Sequence, residues 1–586
     1  MDESVLVKSE SERDTSNVKT TFASCYMCTM DCPITVKSSD DEIISVSYPK
    51  CVRASAMEEQ RDSEHRVIKP MLREQSGDSW TTVTWDKAIE QTALKLADIR
   101  ERHGADSIAF FVGYTKESRP YFQRLAYTFG SPHYIAESSC CYVSAFIASK
   151  LTLGKEYASF FNTSKMRQAE AQCRLVWTNN PTESFIPYSR HYLLKDAESL
   201  PTIVVDPRRT PLAEAATIHL QLRPGTDGAL ALGMAHVIFS EGLEDKSFLK
   251  NHAHGLAEYQ AYVREFTPER TADITGIEAT KIIEAAKLYA TTKPAQLNVS
   301  QKAMTQHSNG FQNHRAVILL AAITGNLDVA GGNRPWLNRL VETNISLRTE
   351  KLPNLAPRIG EKEFPVFTDN YDQGQSMPLA ENIESGRIKA VVSIGANVMM
   401  WPNSKRLEKA LKSLELFTVC DFFETPTSDA ATAFFPAATH LERQALIVKP
   451  AGKVQYRPAS VSPRGDAHGD TEFIFAMAEA LGLENEFWGG DIAKSYDERL
   501  QGIGFKFADL PENGKTIEVD LEKLAERKYE KTGFETPSGK VEFVSTALED
   551  AGYDGLPIYK EPYWSPLGSP DVAKDFPLIL NLRWPQ

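Results

Sequence analysis

The strongest constraint on this chain is a run of thiols near its start. Cys25-Tyr-Met-Cys28-Thr-Met-Asp-Cys32 reads C-x2-C-x3-C, with eighteen residues between Cys32 and a fourth thiol, Cys51. A 4Fe-4S cubane needs four converging thiolates, and a tight loop supplies three while a later strand end returns the fourth. Structural zinc also takes four cysteines, usually as two C-x2-C pairs, so three bunched thiols favour the cubane, with zinc and free thiols as the competing readings. Between Cys32 and Cys51, β-branched alternation on either side of Ser-Ser-Asp-Asp predicts a hairpin that carries Cys51 back to the loop. Arg53 lies two residues beyond Cys51. A cation there suits a reduced cluster or an anionic cofactor, and a solvated surface arginine is the bland alternative.

At 586 residues the chain is too long for one hydrophobic core and implies three or four packed units. Its net charge of −13 argues against nucleic acid or an anionic membrane surface as partner and favours a small-molecule substrate. No apolar run is long enough to span a bilayer, and the first twenty residues lack an apolar segment or twin-arginine leader, so a cytoplasmic protein is expected. Eight cysteines in a chain of this size do not make a disulfide scaffold.

Further landmarks follow in order. Val67-Ile-Lys-Pro-Met-Leu-Arg73 precedes Trp80 and Val83-Thr-Trp-Asp-Lys-Ala-Ile89; then come Gly130-Ser-Pro132, Asn180-Pro181, Asp206-Pro-Arg208-Arg209-Thr210 and Arg223-Pro-Gly225-Thr226-Asp227. Thr324-Gly-Asn326 with Gly331-Gly332, Gly395-Ala-Asn397, the stretch Asp421 to Arg443, and Thr536-Pro-Ser-Gly-Lys540 complete the set. Together with the cysteines, this arrangement resembles the dimethyl sulfoxide reductase family of bis-pterin molybdenum and tungsten enzymes. The resemblance implies one 4Fe-4S cluster, bis-molybdopterin guanine dinucleotide with Mo or W, and an electron-transfer partner subunit.

The landmarks also read physically. Leu-Pro-Thr-Ile-Val-Val-Asp206 is a parallel-strand pattern ending in a carboxylate that can accept hydrogen bonds from a guanine or a ribose. Arg208 and Arg209 suit phosphate oxygens, and Gly225-Thr226-Asp227 opens a helix whose N-terminus attracts anions. Blandly, Asp227 is an N-cap and Arg208 a surface charge. By the resemblance, Asn180, Gly395, Asn397 and Asp421 also belong to the cofactor-binding set.

The family places its metal-coordinating side chain shortly after the Gly-Ser-Pro turn. Here that region reads His133-Tyr-Ile-Ala-Glu137-Ser-Ser-Cys140-Cys141. A thiolate is a soft ligand suited to Mo or W. The match to the family's tungsten hydratase branch points to Cys141, with Cys140 as fallback and two ordinary buried thiols as the alternative. In that branch an aspartate follows the second cluster cysteine; here Thr29 takes the place and Asp31 lies two residues later. A threonine cannot hold a carboxyl proton, so redox chemistry is expected over hydration. His133, Glu137 and His307 are the proton-transfer candidates, although His133 after a proline turn also reads as an exposed imidazole.

The expected architecture is multi-domain α/β. A cluster domain spans 21–75, a discontinuous α/β pterin-binding domain 76–136 plus 376–482, and an α/β dinucleotide-binding domain 137–335, both of the latter doubly wound. Charged, Pro-rich sequence at 341–380 reads as a long connection. By resemblance a C-terminal β-barrel begins within 560–586, near Phe576-Pro-Leu-Ile-Leu580, and is cut short, as in a truncated chain. The functional expectation is a molybdenum or tungsten oxidoreductase passing electrons through the cluster, against a non-redox hydratase or a metal-free electron-transfer subunit. Elemental analysis of anaerobically purified protein is expected to give about four Fe and one Mo or W per chain.

Overall fold

The computed structural model describes residues 17–28, 30–158, 170–184, 193–335, 356–449, 453–518 and 526–578. The chain divides into two compact units, Met1–Ser139 with Asn338–Asp520, and Cys140–Leu337 with Leu521–Gln586.

The first unit begins with the expected hairpin. Pro33–Ser39 pairs antiparallel with Glu42–Ser47, and Lys19–Ser24 adds the third strand. Asp40 and Asp41 form the turn at φ of 48° and 66°, a left-handed pair that aspartate tolerates and that matches the twist of the flanking strands. Asp41 also accepts the Ser462 N–H at 2.7 Å, anchoring the turn to a later segment of the same unit.

Behind the hairpin stands a seven-stranded sheet. Its order is Thr81–Thr82, Met71–Leu72, Ala433–Pro436, Leu416–Asp421, Ala390–Ile394, Ile108–Val112, Tyr134–Ala136. The last five strands are parallel. Their near-continuous apolar runs follow from burial on both faces, and Ile108–Val112 is buried throughout. The helix Trp85–His103 covers this sheet. Thr84 caps its first turn by accepting the Lys87 N–H, basic residues fill its last turn, and Ala88, Ile89, Thr92, Leu96 and Ile99 form its buried stripe. The strand order reverses between Ile108–Val112 and Ala390–Ile394, so the chain leaves these two neighbours in opposite directions.

The second unit holds a four-stranded parallel sheet in the order Ile218–Leu220, Thr202–Val205, Cys173–Trp177, Ala295–Val299. Helices Asp227–Ser240, Ala279–Thr291 and Gly310–Ile323 contribute to its core. Asp227–Ser240 is apolar nearly all round because it is a core helix, buried on almost every side. This sheet reverses its order between Cys173–Trp177 and Ala295–Val299.

Two expectations change. The stretch expected as a plain connection at 341–380 contains the helix Pro365–Asn370, whose proline opens its first turn, and Leu379–Glu384 begins at its end. The first barrel strand is not formed at Phe576–Leu578, and residues 579 and 580 lie outside the described residues.

A buried ion pair joins distant parts of the first unit. Arg66 Nη1 donates to both carboxylate oxygens of Glu442 at 3.0 Å, and both side chains are fully buried. Glu442 also accepts the backbone N–H of Thr439 and of Arg464. Replacing Glu442 strands the Arg66 guanidinium in a dry site. We expect E442L to lower stability by about 3–5 kcal/mol, read as a shift in the denaturant midpoint.

Candidate functional site

The cluster loop is built by its neighbours in the first unit. The Cys25 N–H donates to the Cys32 carbonyl at 2.9 Å, closing the loop at the base of the hairpin. The four thiols lie close enough to act on one another. Burial pushes Cys25 up to about 11 and Cys32 up to about 12, and each is raised further by the charge of the other cysteines. Backbone N–H groups of Met27 and Met30 favour the thiolates of Cys25 and Cys28. Among the described residues no group of three or more His, Cys, Asp or Glu is gathered to hold a metal ion, so the fit to an iron–sulfur cluster rests on donor chemistry: four free thiols, with backbone donors aimed at two of them. Arg53 is half-buried, and its charge lowers the Cys28 pKa. Thr29 lies outside the described residues, and Asp31 is ion-paired to Lys116.

The loop rests on the end of the Ile108–Val112 strand. Gly113 follows that strand and Gly395 follows Ala390–Ile394, and a Cβ on Gly113 would lie 1.7 Å from the Gly395 carbonyl oxygen. Gly395 itself turns at φ 58°, which glycine adopts without strain. Beyond Gly113 come Lys116 and Glu117, neither of which the sequence singled out. Tyr26, inside the cysteine loop, accepts the Lys116 backbone N–H at 2.6 Å. Its ring stacks on His440 at 6.1 Å and faces Arg443 and Arg457 at 5.1 and 5.7 Å. Burial disfavours the Glu117 carboxylate, but Arg443 and Arg457 beside it outweigh that and hold it down at about 2. Arg443 also binds Asp470 at 2.6 Å. The second Glu117 carboxylate oxygen and the Arg443 Nε have no hydrogen-bond partner in the protein.

On the other side of the reversal, Asn397 accepts the Thr427 hydroxyl at 2.8 Å. Asp421 ends its strand, accepts the Phe422 N–H at 2.7 Å and is lifted by burial to about 6. Glu137 is clamped by Arg119, which also donates to the Gly113 carbonyl at 3.0 Å. His133 is fully buried, which corrects the expectation of an exposed imidazole: its Nδ1 accepts the Ile359 N–H at 3.2 Å. Burial, with Arg387 nearby, pulls it down to about 3, so its ring is neutral.

In the second unit the residues gather at the carboxyl ends of the parallel strands. Asn179 and Asn180 follow Cys173–Trp177, and the side-chain N–H2 groups of both are buried without a protein partner, as is the Thr178 hydroxyl. Asn179 was not anticipated; the Asn-Asn doublet after a buried strand was its only signal. Asp206 ends the next strand and accepts the Arg208 N–H at 2.8 Å. Arg208 and Arg209 are exposed, and Arg208 pairs with Glu183 at 3.1 Å. Gly225, at φ 85°, accepts the Asn313 amide at 3.1 Å. Thr226 donates to the Arg223 carbonyl at 2.7 Å, and Asp227 accepts the Trp177 indole N–H at 2.8 Å. His307 lies near Asn313, with its Nδ1 unpartnered. Cys140 and Cys141 are partly exposed, and the Cys140 carbonyl accepts Gln306 at 3.0 Å. Orphaned donors beside exposed arginines, at the reversal of a parallel sheet, fit a polar anionic ligand such as a pterin dinucleotide.

Both units thus present parallel sheets with polar groups at their carboxyl ends. Residues 66–480 match the family described as Molybdopterin oxidoreductase, and the chain belongs to that family. It is similar to acetylene hydratase of Syntrophotalea acetylenica, 27% identical over 95% of this chain and 81% of that protein. It is also similar to the F420-dependent formate dehydrogenase subunit alpha of Methanocaldococcus jannaschii, 29% identical over 82% of this chain and 74% of that one. Among solved structures, acetylene hydratase from Pelobacter acetylenicus superposes with a TM-score of 0.84 at 26% identity, covering 96% of this chain and 83% of that one.

Burial lifts the Asp227 carboxyl to about 6, from an ordinary value near 3.8. The native state therefore holds a proton that the unfolded chain has released, and stability falls as pH rises between those two values. We expect D227N, which keeps an acceptor for Trp177, to flatten that limb and to gain about 2 kcal/mol at neutral pH, measured as the pH dependence of the unfolding midpoint.

Proposed function

We propose that this chain is the metal-bearing subunit of a molybdenum or tungsten bis-pterin oxidoreductase. It moves electrons between a small substrate at the metal and an external partner subunit through a 4Fe-4S cluster. The observation that carries this reading is the cysteine loop, with its four interacting thiols, seated on the strand-order reversal of a pterin-family sheet. Cys25, Cys28, Cys32 and Cys51 would hold the cluster, and Cys141 the Mo or W, with Cys140 as the alternative. Asn179, Asn180, Asp206, Arg208, Arg209, Gly225, Thr226 and Asp227 would hold one pterin dinucleotide, and Gly395, Asn397 and Asp421 would serve the other. Bound there, the pterin-held metal supplies a two-electron centre that the protein's own side chains lack.

The chain's residues position and insulate. Arg53 supplies positive charge beside the cysteines and an anionic cofactor. Glu137 is locked to Arg119 and the neutral, buried His133 accepts the Ile359 N–H; both stand as candidates for proton transfer near the metal. No helix among the described residues is long and apolar enough to cross a membrane. A cytoplasmic location is part of the same proposal.

The similarity to acetylene hydratase over 95% of the chain favours a second reading, water addition to an unsaturated bond without net redox change. Assays separate the two. With formate or another small reductant, turnover that requires an electron-accepting dye supports the oxidoreductase, and hydration of acetylene without any acceptor supports the hydratase. C141A is expected to lower either activity about 100-fold or more while iron content stays unchanged, whereas C140A leaves activity within a few-fold. The reverse pattern transfers the metal-ligand role to Cys140.

A further inference from the structure

A lysine outside the cysteine loop grips it at several points. Lys116 lies in the loop after Ile108–Val112 and meets three positions inside Cys25–Cys32. Its backbone N–H donates to the Tyr26 hydroxyl at 2.6 Å, its ammonium donates to the Cys28 carbonyl at 2.6 Å, and the same ammonium is ion-paired with Asp31. The ammonium also lies 4.7 Å from the Tyr26 ring centroid. Water screens it weakly, since the Lys116 side chain is 19% exposed and that of Asp31 is 11% exposed.

Other charges around this loop largely cancel. On the far side of Tyr26, Arg457 binds Glu117 at 2.8 Å, and Arg443 binds Glu117 and Asp470 at 3.3 and 2.6 Å, two cations against two carboxylates. Arg53 adds positive charge from beyond Cys51. The Lys116 ammonium is bonded to the backbone of the loop itself.

We propose that Lys116 is a positioning residue that raises the reduction potential of the iron–sulfur cluster, and that Asp31 opposes it. The inference rests on the reading that the four cysteines hold such a cluster. Reduction adds one electron, and so one negative charge, to the cluster and its thiolates. Dithionite supplies the electron in a titration, a pterin-held metal or the external partner would supply it in turnover, and no proton transfer is required. A nearby ammonium stabilises the added charge, and a nearby carboxylate destabilises it.

The test is an EPR-monitored redox titration of the full-length, cluster-loaded protein and its variants at one pH. K116Q keeps a hydrogen-bond donor but loses the charge. Its midpoint is expected to move negative, by an amount equal to about a tenfold change in the reduced-to-oxidised ratio at fixed solution potential. D31N is expected to move positive, and K116R to remain near the parent. Opposite signs are the signature of electrostatic control, because a purely structural latch shifts both variants in one direction or in neither. Coincident midpoints at full iron occupancy, or shifts of the same sign, overturn the proposal. If K116Q fails to retain iron, D31N decides: a positive shift supports the proposal, and an unchanged or negative one overturns it. A parent protein that takes up no iron on anaerobic reconstitution overturns the cluster assignment itself, and this inference with it.

Discussion

Two backbones meet where Gly113 and Gly395 leave neighbouring parallel strands. The approach is so close that a single methyl group on Gly113 would collide with the Gly395 carbonyl. The Gly113 N–H donates to the Ile394 carbonyl at 2.8 Å, so the junction extends the sheet by one bond before the chains part. Because the strand order reverses here, the following segments diverge at the carboxyl end of the sheet. The segment after Gly113 carries Lys116, Glu117 and Arg119; the one after Gly395 carries Asn397. The cysteine loop docks on the first segment through Tyr26, and Glu137 is tied to it through Arg119.

The second unit solves a similar problem with different residues. Its sheet also reverses, and the segments after the strand ends supply Thr178, Asn179, Asn180 and Asp206. Unpartnered buried amides destabilise a fold by about 1–3 kcal/mol each, so such groups persist where a ligand satisfies them. The Asp227 carboxyl, hydrogen-bonded to Trp177 yet lifted by burial, is a further perturbed polar group in this unit.

Buried charge in the first unit is handled by pairing. Arg66 with Glu442, and Arg443 and Arg457 with Glu117 and Asp470, place cations and carboxylates within direct contact in a dry interior. Pairs of this kind add little net stability but penalise any arrangement that separates them. They therefore specify how the segments around His440 and Arg443 sit against Tyr26, and through it against the cysteine loop.

Short-range pattern made much of this protein legible from its residues alone. Thiol spacing marked the loop, β-branched runs around Ser-Ser-Asp-Asp marked the hairpin, and the apolar run into Asp206 marked a parallel strand. The ordered landmarks pointed to the pterin family. These signals are local because spacing along the chain sets which side chains share a turn, a strand or a face. Tertiary structure decided the rest. Burial of His133, the clamp of Arg119 on Glu137, the orphaned amide of Asn179 and the grip of Lys116 on the cysteine loop depend on which strands become neighbours. That choice is made by contacts among residues tens to hundreds of positions apart, and no local period in the sequence encodes it.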